Sequence, residues 1–189
     1  MVNRITYLFA EGKVVYTDGG VLAEFAWVLV VLPFVAALII TFIGKSLPMK
    51  GAEVALGTIG IIFVYSVALM FLHITEGIAN EFFINVGSIG QFDIEFGWVV
   101  DGLSIMMYFV VGLVALLVFI YATNYMEGEI RYTFFFTSLT LFAGSMLVLV
   151  SSPTLIQILI GWELVGVCSY LLIGHYWEIK DNSSAAMKA

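Results

Sequence analysis

The 189-residue chain is 62% hydrophobic and only 11% charged, with a formal net charge of −7 and a mean hydropathy of +1.08. About a quarter of the residues of a soluble domain are charged, so this composition excludes an ordinary soluble globule and indicates an integral membrane protein. Seven Lys and Arg against fourteen Asp and Glu leave no basic patch to match phosphates, which argues against a nucleic-acid partner, and the single cysteine, Cys168, excludes an intrachain disulfide or a multi-cysteine metal site.

Residues 1–24 form a polar leader carrying Arg4, Glu11, Lys13 and Asp18, and nothing in it matches a cleaved signal peptide. A first span is predicted over about 25–43, with Pro33 inside it as a site for a kink. Gly44-Lys-Ser-Leu-Pro-Met-Lys50 closes that span, and a second, about 54–72, ends at His73. The stretch 74–100 then changes character: it carries Glu76, Glu81, Asp93 and Glu95 between short apolar runs. Phe82-Phe-Ile-Asn-Val and Gln91-Phe-Asp-Ile-Glu-Phe, split by Gly87-Ser-Ile-Gly90, predict a β-hairpin outside the membrane, the second strand alternating polar and apolar.

The third span, about 103–122, is preceded by Asp101 at an N-cap position, with Ser104 in the first turn as a capping partner rather than a catalytic group. A fourth span follows over about 132–150 and a fifth over about 155–175. After a polar stretch from Tyr176, Ser184-Ala-Ala-Met-Lys-Ala predicts the start of a sixth helix, so residues 1–189 are expected to be part of a longer chain. Apolar blocks of around twenty residues predict an all-α polytopic bundle, since a β-barrel needs alternating strands. Two units are expected: the leader 1–24 and a transmembrane domain 25–189. Lys45, Lys50, Arg131 and Lys180 fall in connections on one side, against Arg4 and Lys13 on the other. That asymmetry places the N-terminus and hairpin outside.

One ionisable residue stands deep in a predicted span. Glu163 lies about eight residues into the fifth span, roughly 12 Å below the surface at about 1.5 Å per residue. A charge there costs several kcal/mol, so a proton-relay role is the leading expectation. The alternative is a permanently protonated acid making an interhelical hydrogen bond. Gly161, Gly166 and Ser169 let neighbouring helices or water approach beside it, close packing being their simpler role. Lys188, at the start of the sixth helix, either reaches inward as a proton carrier or snorkels to the interface. His175 ends the fifth span and titrates near neutrality, so it either feeds protons inward or is a plain interfacial histidine, as is His73. There is no Gly-rich phosphate loop, dinucleotide fingerprint, cysteine cluster or paired histidine site for haem in these residues. No cofactor or metal is therefore expected in this chain.

Gly161-Trp-Glu-Leu-Val-Gly-Val-Cys-Ser-Tyr-Leu-Leu-Ile-Gly174 closely resembles the signature of the antiporter-like subunit L (mitochondrial subunit 5) family of respiratory complex I. Trp98-Val-Val-Asp-Gly-Leu-Ser104 is similar to that family's entry to its third helix, Tyr121-Ala-Thr-Asn-Tyr-Met126 to the end of it, and Ala185-Ala-Met-Lys-Ala189 to the opening of the sixth. The resemblance implies a proton-translocating membrane-arm subunit of NADH-quinone oxidoreductase in the bacterial cytoplasmic membrane. FMN, iron–sulfur clusters, NADH and quinone would then be handled by other subunits, and a neighbouring antiporter-like subunit would be a partner. It also implies that Glu163 is the family's functional glutamate and Lys188 its helix-six lysine, with the glutamate's usual lysine partner on a seventh helix. His175 departs from the aromatic expected there, so no role carries over to it. A related family, the first subunit of multisubunit sodium/proton antiporters, reads nearer Phe-Trp-Glu-Leu-Thr-Ser at the fifth-span motif. A purely structural membrane-arm element is the third alternative.

Overall fold

The computed structural model describes residues 17–18, 20–89 and 92–188. Most of the leader, and the hairpin tip at 90–91, lie outside the described residues. In chain order the elements are β1 (Thr17–Asp18), α1 (Gly20–Glu24), α2 (Trp27–Ile43), α3 (Ala52–Glu76), β2 (Ile78–Ile89), β3 (Phe92–Val100), α4 (Gly102–Tyr125), α5 (Tyr132–Val150), α6 (Leu155–Ile173) and α7 (Lys180–Ala186). Short 3-10 turns at Gly44–Ser46 and Gly174–Tyr176 extend α2 and α6.

Helices α2, α3, α4, α5 and α6 are each long and apolar enough to cross a membrane. The chain is thus a polytopic helical bundle carrying a small sheet. Helix α2 runs unbroken through Pro33, whose side chain packs where a Cβ on Gly144 of α5 would stand 3.1 Å away. Helix α3 continues past the predicted end at His73 to Glu76, where Gly77 in the left-handed region (φ +65°) donates to the His73 carbonyl at 2.9 Å. The His73 ring then bonds the Ile78 carbonyl through Nδ1 at 2.7 Å, so this histidine joins helix to sheet. Asp101 caps α4 as predicted: its carboxylate accepts from the Ser104 N–H at 2.7 Å, while the Ser104 hydroxyl accepts from the Asp101 N–H at 2.8 Å.

The sheet order is β1-β2-β3, with β1 parallel to β2 and β2 antiparallel to β3. The hairpin is longer than its alternating residues predict, because the antiparallel ladder continues to the Asn80↔Val100 pair beside the helix ends. Phe82 and Trp98 face each other across it with rings stacked at 4.4 Å. Strand β1 and helix α1 fall in the stretch assigned to the leader. Ala23 is fully buried, and the Leu22 carbonyl accepts from the Tyr65 hydroxyl at 2.6 Å, which ties α1 to α3.

The core lies among α2, α3, α4 and α5, around Leu29, Ile40, Ile59, Ile62, Tyr108 and Phe136. Helix α6 is different. It packs mainly on α5, and only 17% of its apolar window is buried, against 33–44% for the other four spans. Helix α7 begins at Lys180, four residues before the predicted Ser184, with Asp181 in its first turn where a carboxylate favours a helix N-terminus.

Candidate functional site

Helix α6 starts at Thr154, whose side chain accepts from the Gln157 N–H, and stops in the 3-10 turn at Gly174. One stripe of α6 is buried: Gln157, Gly161 and Cys168. At Gly161 α5 and α6 approach closely, since a Cβ there would stand 3.0 Å from the Leu149 Cα and N. Farther along, the Cys168 thiol lies 3.8 Å from the Ser145 hydroxyl. Gly166 has open space around it, and the Ser169 hydroxyl donates within its own helix to Val165 at 2.8 Å.

Glu163 is about 200° around the helix from Gly161, given 3.6 residues per turn, and so stands on the face turned away from α5. It is exposed in the chain alone, between Trp162 and Leu164, and among the described residues no hydrogen bond or ion pair reaches it. An acid at mid-span is costly to keep in hydrocarbon without a partner, which marks this position as a functional candidate.

Lys188 is not brought to Glu163. It lies just beyond the end of α7, exposed, and its N–H donates to the Ala185 carbonyl at 3.1 Å. Ala186 packs over Gly174, eleven residues or about 16 Å along α6 from Glu163. His175 is only 4% exposed, enclosed by Phe134, Phe135 and Tyr176, the nearest ring centroid being 4.9 Å away. Its Nδ1 has no hydrogen-bond partner among the described residues.

Two features of this region were not foreseen from sequence. Arg131, noticed there only as a loop cation, pairs with Glu178 at 2.7 Å and lies over the Trp177 ring at 4.1 Å. The hydrogen bond from Arg131 holds the Glu178 carboxyl below the usual carboxylate range. The second is Gln157, which bonds the main chain of Gly97 in β3 through both atoms of its amide. An amide in the first turn of an otherwise apolar helix was its one visible signal. Among the described residues no group of three His, Cys, Asp or Glu could hold a metal ion.

Comparison with known proteins places these elements. Residues 87–136 match the NADH-ubiquinone oxidoreductase (complex I) chain 5 N-terminus family, and residues 152–189 the NADH:quinone oxidoreductase/Mrp antiporter transmembrane family. The second match contains all of α6 and α7. The chain is 40% identical over 176 residues to NAD(P)H-quinone oxidoreductase chain 5 of Synechocystis, covering 89% of this chain and 26% of that protein. It is 50% identical over 102 residues to NADH-quinone oxidoreductase subunit L of Escherichia coli, covering 54% of this chain and 17% of that one. The chain thus spans about a quarter of the length of the cyanobacterial-type relatives it matches. A chain of the archaeal membrane-bound sulfane sulfur reductase, a respiratory membrane complex, shares the fold with a TM-score of 0.70 at 13% identity, over 86% of this chain and 32% of its own. With its apolar helices, its hairpin and the α6 motif matched in this way, the chain carries stretches of the complex I chain 5 N-terminus and NADH:quinone oxidoreductase/Mrp antiporter transmembrane families and is similar to part of chain 5 and subunit L of NADH-quinone oxidoreductases.

Proposed function

We propose that this chain works in proton translocation, as part of a membrane-arm subunit of an NADH:quinone oxidoreductase, and that Glu163 is its principal protonatable group. The observation that carries this reading is the position of Glu163: mid-span on the one helix that buries little of itself, on the face away from α5. An acid so placed releases its proton when a cation or a water chain arrives at that face, and takes one up again when it leaves. Lys188 is the second relay group on this reading. His175 has a lesser part at the end of α6. NADH oxidation and quinone reduction supply the driving force, with FMN and the iron–sulfur clusters held by other subunits. The partners are neighbouring membrane-arm subunits, above all another antiporter-like one. The N-terminus and hairpin face the outside of a bacterial cytoplasmic membrane.

The test is NADH-driven proton uptake by inverted vesicles carrying Glu163→Gln in the whole complex, with assembly followed on a native gel. Uptake should be lost while the complex stays intact. Normal uptake in an assembled complex overturns the reading. A defect confined to sodium/proton exchange in the same vesicles would then point to the related antiporters.

A further inference from the structure

The free edge of β3 is closed by side chains and loop backbone where another strand would be expected. Glu95, Gly97 and Val99 alternate along the strand, so their main-chain groups share the edge turned away from β2. Each of the three is engaged by the corner between α5 and α6. The Val99 N–H donates to the Ser151 carbonyl at 2.9 Å, and the Thr154 hydroxyl donates to the Glu95 carbonyl at 3.1 Å. Between them, Gln157 Oε1 accepts from the Gly97 N–H at 2.9 Å while its Nε2 donates to the Gly97 carbonyl at 2.8 Å. That amide reproduces the paired bonds of an antiparallel partner residue. Tyr108 of α4 adds a hydroxyl bond to the Val99 carbonyl at 3.1 Å.

Of these groups only Gln157 belongs to α6 itself, and it is 6% exposed. It precedes Glu163 by six residues, about 9 Å and about 240° along a rigid helix, so a rotation at one is a rotation at the other. Helix α6 is otherwise held on one side only, by its packing on α5 at Gly161 and Cys168. Turning it would break both bonds to the half-buried Gly97 main chain, an outcome that folded chains avoid. At Gly97 the Phe82 backbone occupies the space a Cβ would take, so the two strands are in close approach there.

We propose that Gln157 is a positioning residue for Glu163: its two bonds to Gly97 lock the rotation and depth of α6 against the hairpin, and so set the face on which the Glu163 carboxylate stands. The functional consequence rests on Glu163 being the working acid. The positioning itself can be read without that assumption.

The experiment uses the whole complex in membranes and a hydrophobic carbodiimide as the probe, with modification at Glu163 followed by peptide mass spectrometry. Gln157→Leu removes both bonds and should change the Glu163 modification rate about thirtyfold, the equilibrium effect of losing two ordinary hydrogen bonds. Gln157→Glu supplies a second, internal comparison. When protonated it both donates and accepts as the amide does, and when ionised it only accepts. Its Glu163 rate, taken relative to wild type at the same pH, should match in acid and depart towards the Leu value as pH rises. A passive packing role would give no such pH-dependent recovery. Should Gln157→Leu fail to assemble, the pH series on Gln157→Glu decides alone. Rates within twofold of wild type for Gln157→Leu, or a flat relative profile for Gln157→Glu, overturn the proposal. If Glu163→Gln pumps normally while the carbodiimide rates shift as stated, the positioning stands and the proton-translocation reading falls.

Discussion

Gly161 and Gly166 stand in the same motif on the same helix, yet the structure assigns them opposite sensitivity to a side chain. A Cβ on Gly161 would lie 3.0 Å from both the Cα and N of Leu149 and 3.2 Å from its Cβ, so the obstruction is mostly backbone, which cannot turn aside. Restoring ordinary contact requires α5 and α6 to part by roughly half an ångström, and overpacking of that kind costs about 1–3 kcal/mol. Gly161→Val sits at the upper end because it adds two methyl groups at the seam, while the improvement in helix propensity over glycine recovers about 0.5 kcal/mol. The net cost is then about 2 kcal/mol, or about a thirtyfold shift towards an opened seam at 1.4 kcal/mol per factor of ten. Cys168 reports that opening directly. It is the chain's one cysteine, it is 4% exposed, and it lies on the same α5–α6 seam beside Ser145. In membranes, the rate of Cys168 alkylation by a maleimide should rise about thirtyfold in Gly161→Val. Gly166→Ala, with nothing within 4 Å of its Cβ, should leave the rate unchanged. Equal rates for Gly161→Val and wild type, or an equal rise at both glycines, would refute the close-approach argument.

Asp101→Ala should lower thermal stability by about 1–2 kcal/mol through loss of the cap, while Asp101→Asn, also a good cap, should lose little and leave pumping intact in the assembled complex. An assembled Asp101→Asn complex that cannot pump would show that Asp101 does more than cap. Glu163→Asp should keep part of the proton uptake that Glu163→Gln loses, because charge survives with shorter reach; uptake as low as in the Gln variant would make reach the deciding property. In the hairpin, burial first and the negative charge of Asp101 second raise the Glu81 carboxyl above its ordinary value. The folded chain therefore binds that proton more readily than the unfolded one, so ionised Glu81 opposes folding above its raised pKa, and the penalty fades as pH falls through it. Glu81→Gln should accordingly raise the melting temperature slightly near neutral pH and not in acid, the effect being small because Glu81 is largely solvated. Arg131→Gln should return the Glu178 carboxyl upwards to its ordinary range, read by infrared titration of labelled glutamate, since the Arg131 hydrogen bond is what lowers it.

Apolar length made the spans legible. The predicted fourth span coincides with α5, and the others differ only at their ends, where main-chain geometry decides. Thus α3 gains the residues up to Gly77 because a left-handed glycine can accept the helix end there and His73 cannot. The Asp101–Ser104 cap was legible too, because a capping box is a local pattern four residues long. Mid-span Glu163 could be singled out because an acid in an apolar run is conspicuous at any depth. What covers its face could not be, because the described residues that contact α6 lie on the other side of the helix.

Gln157 shows the complementary blindness. Its bonds run sixty residues back along the chain to a glycine with no side chain, and both partners at Gly97 are main-chain groups. Hydrophobic periodicity records which face of an element is buried and is silent about which main-chain edge is left open, because every residue presents the same N–H and C=O. A strand with one edge paired and the other facing a helix must find donors and acceptors somewhere. Here the corner after α5 supplies them in the strand's own two-residue rhythm, through Thr154, Gln157 and Ser151 opposite Glu95, Gly97 and Val99. The sheet edge therefore grips the first turn of the helix that carries Glu163. The contact at Gln157 lies six residues from that carboxylate along α6, whereas the Arg131–Glu178 pair lies beyond the other end of the helix, past Gly174 at eleven residues.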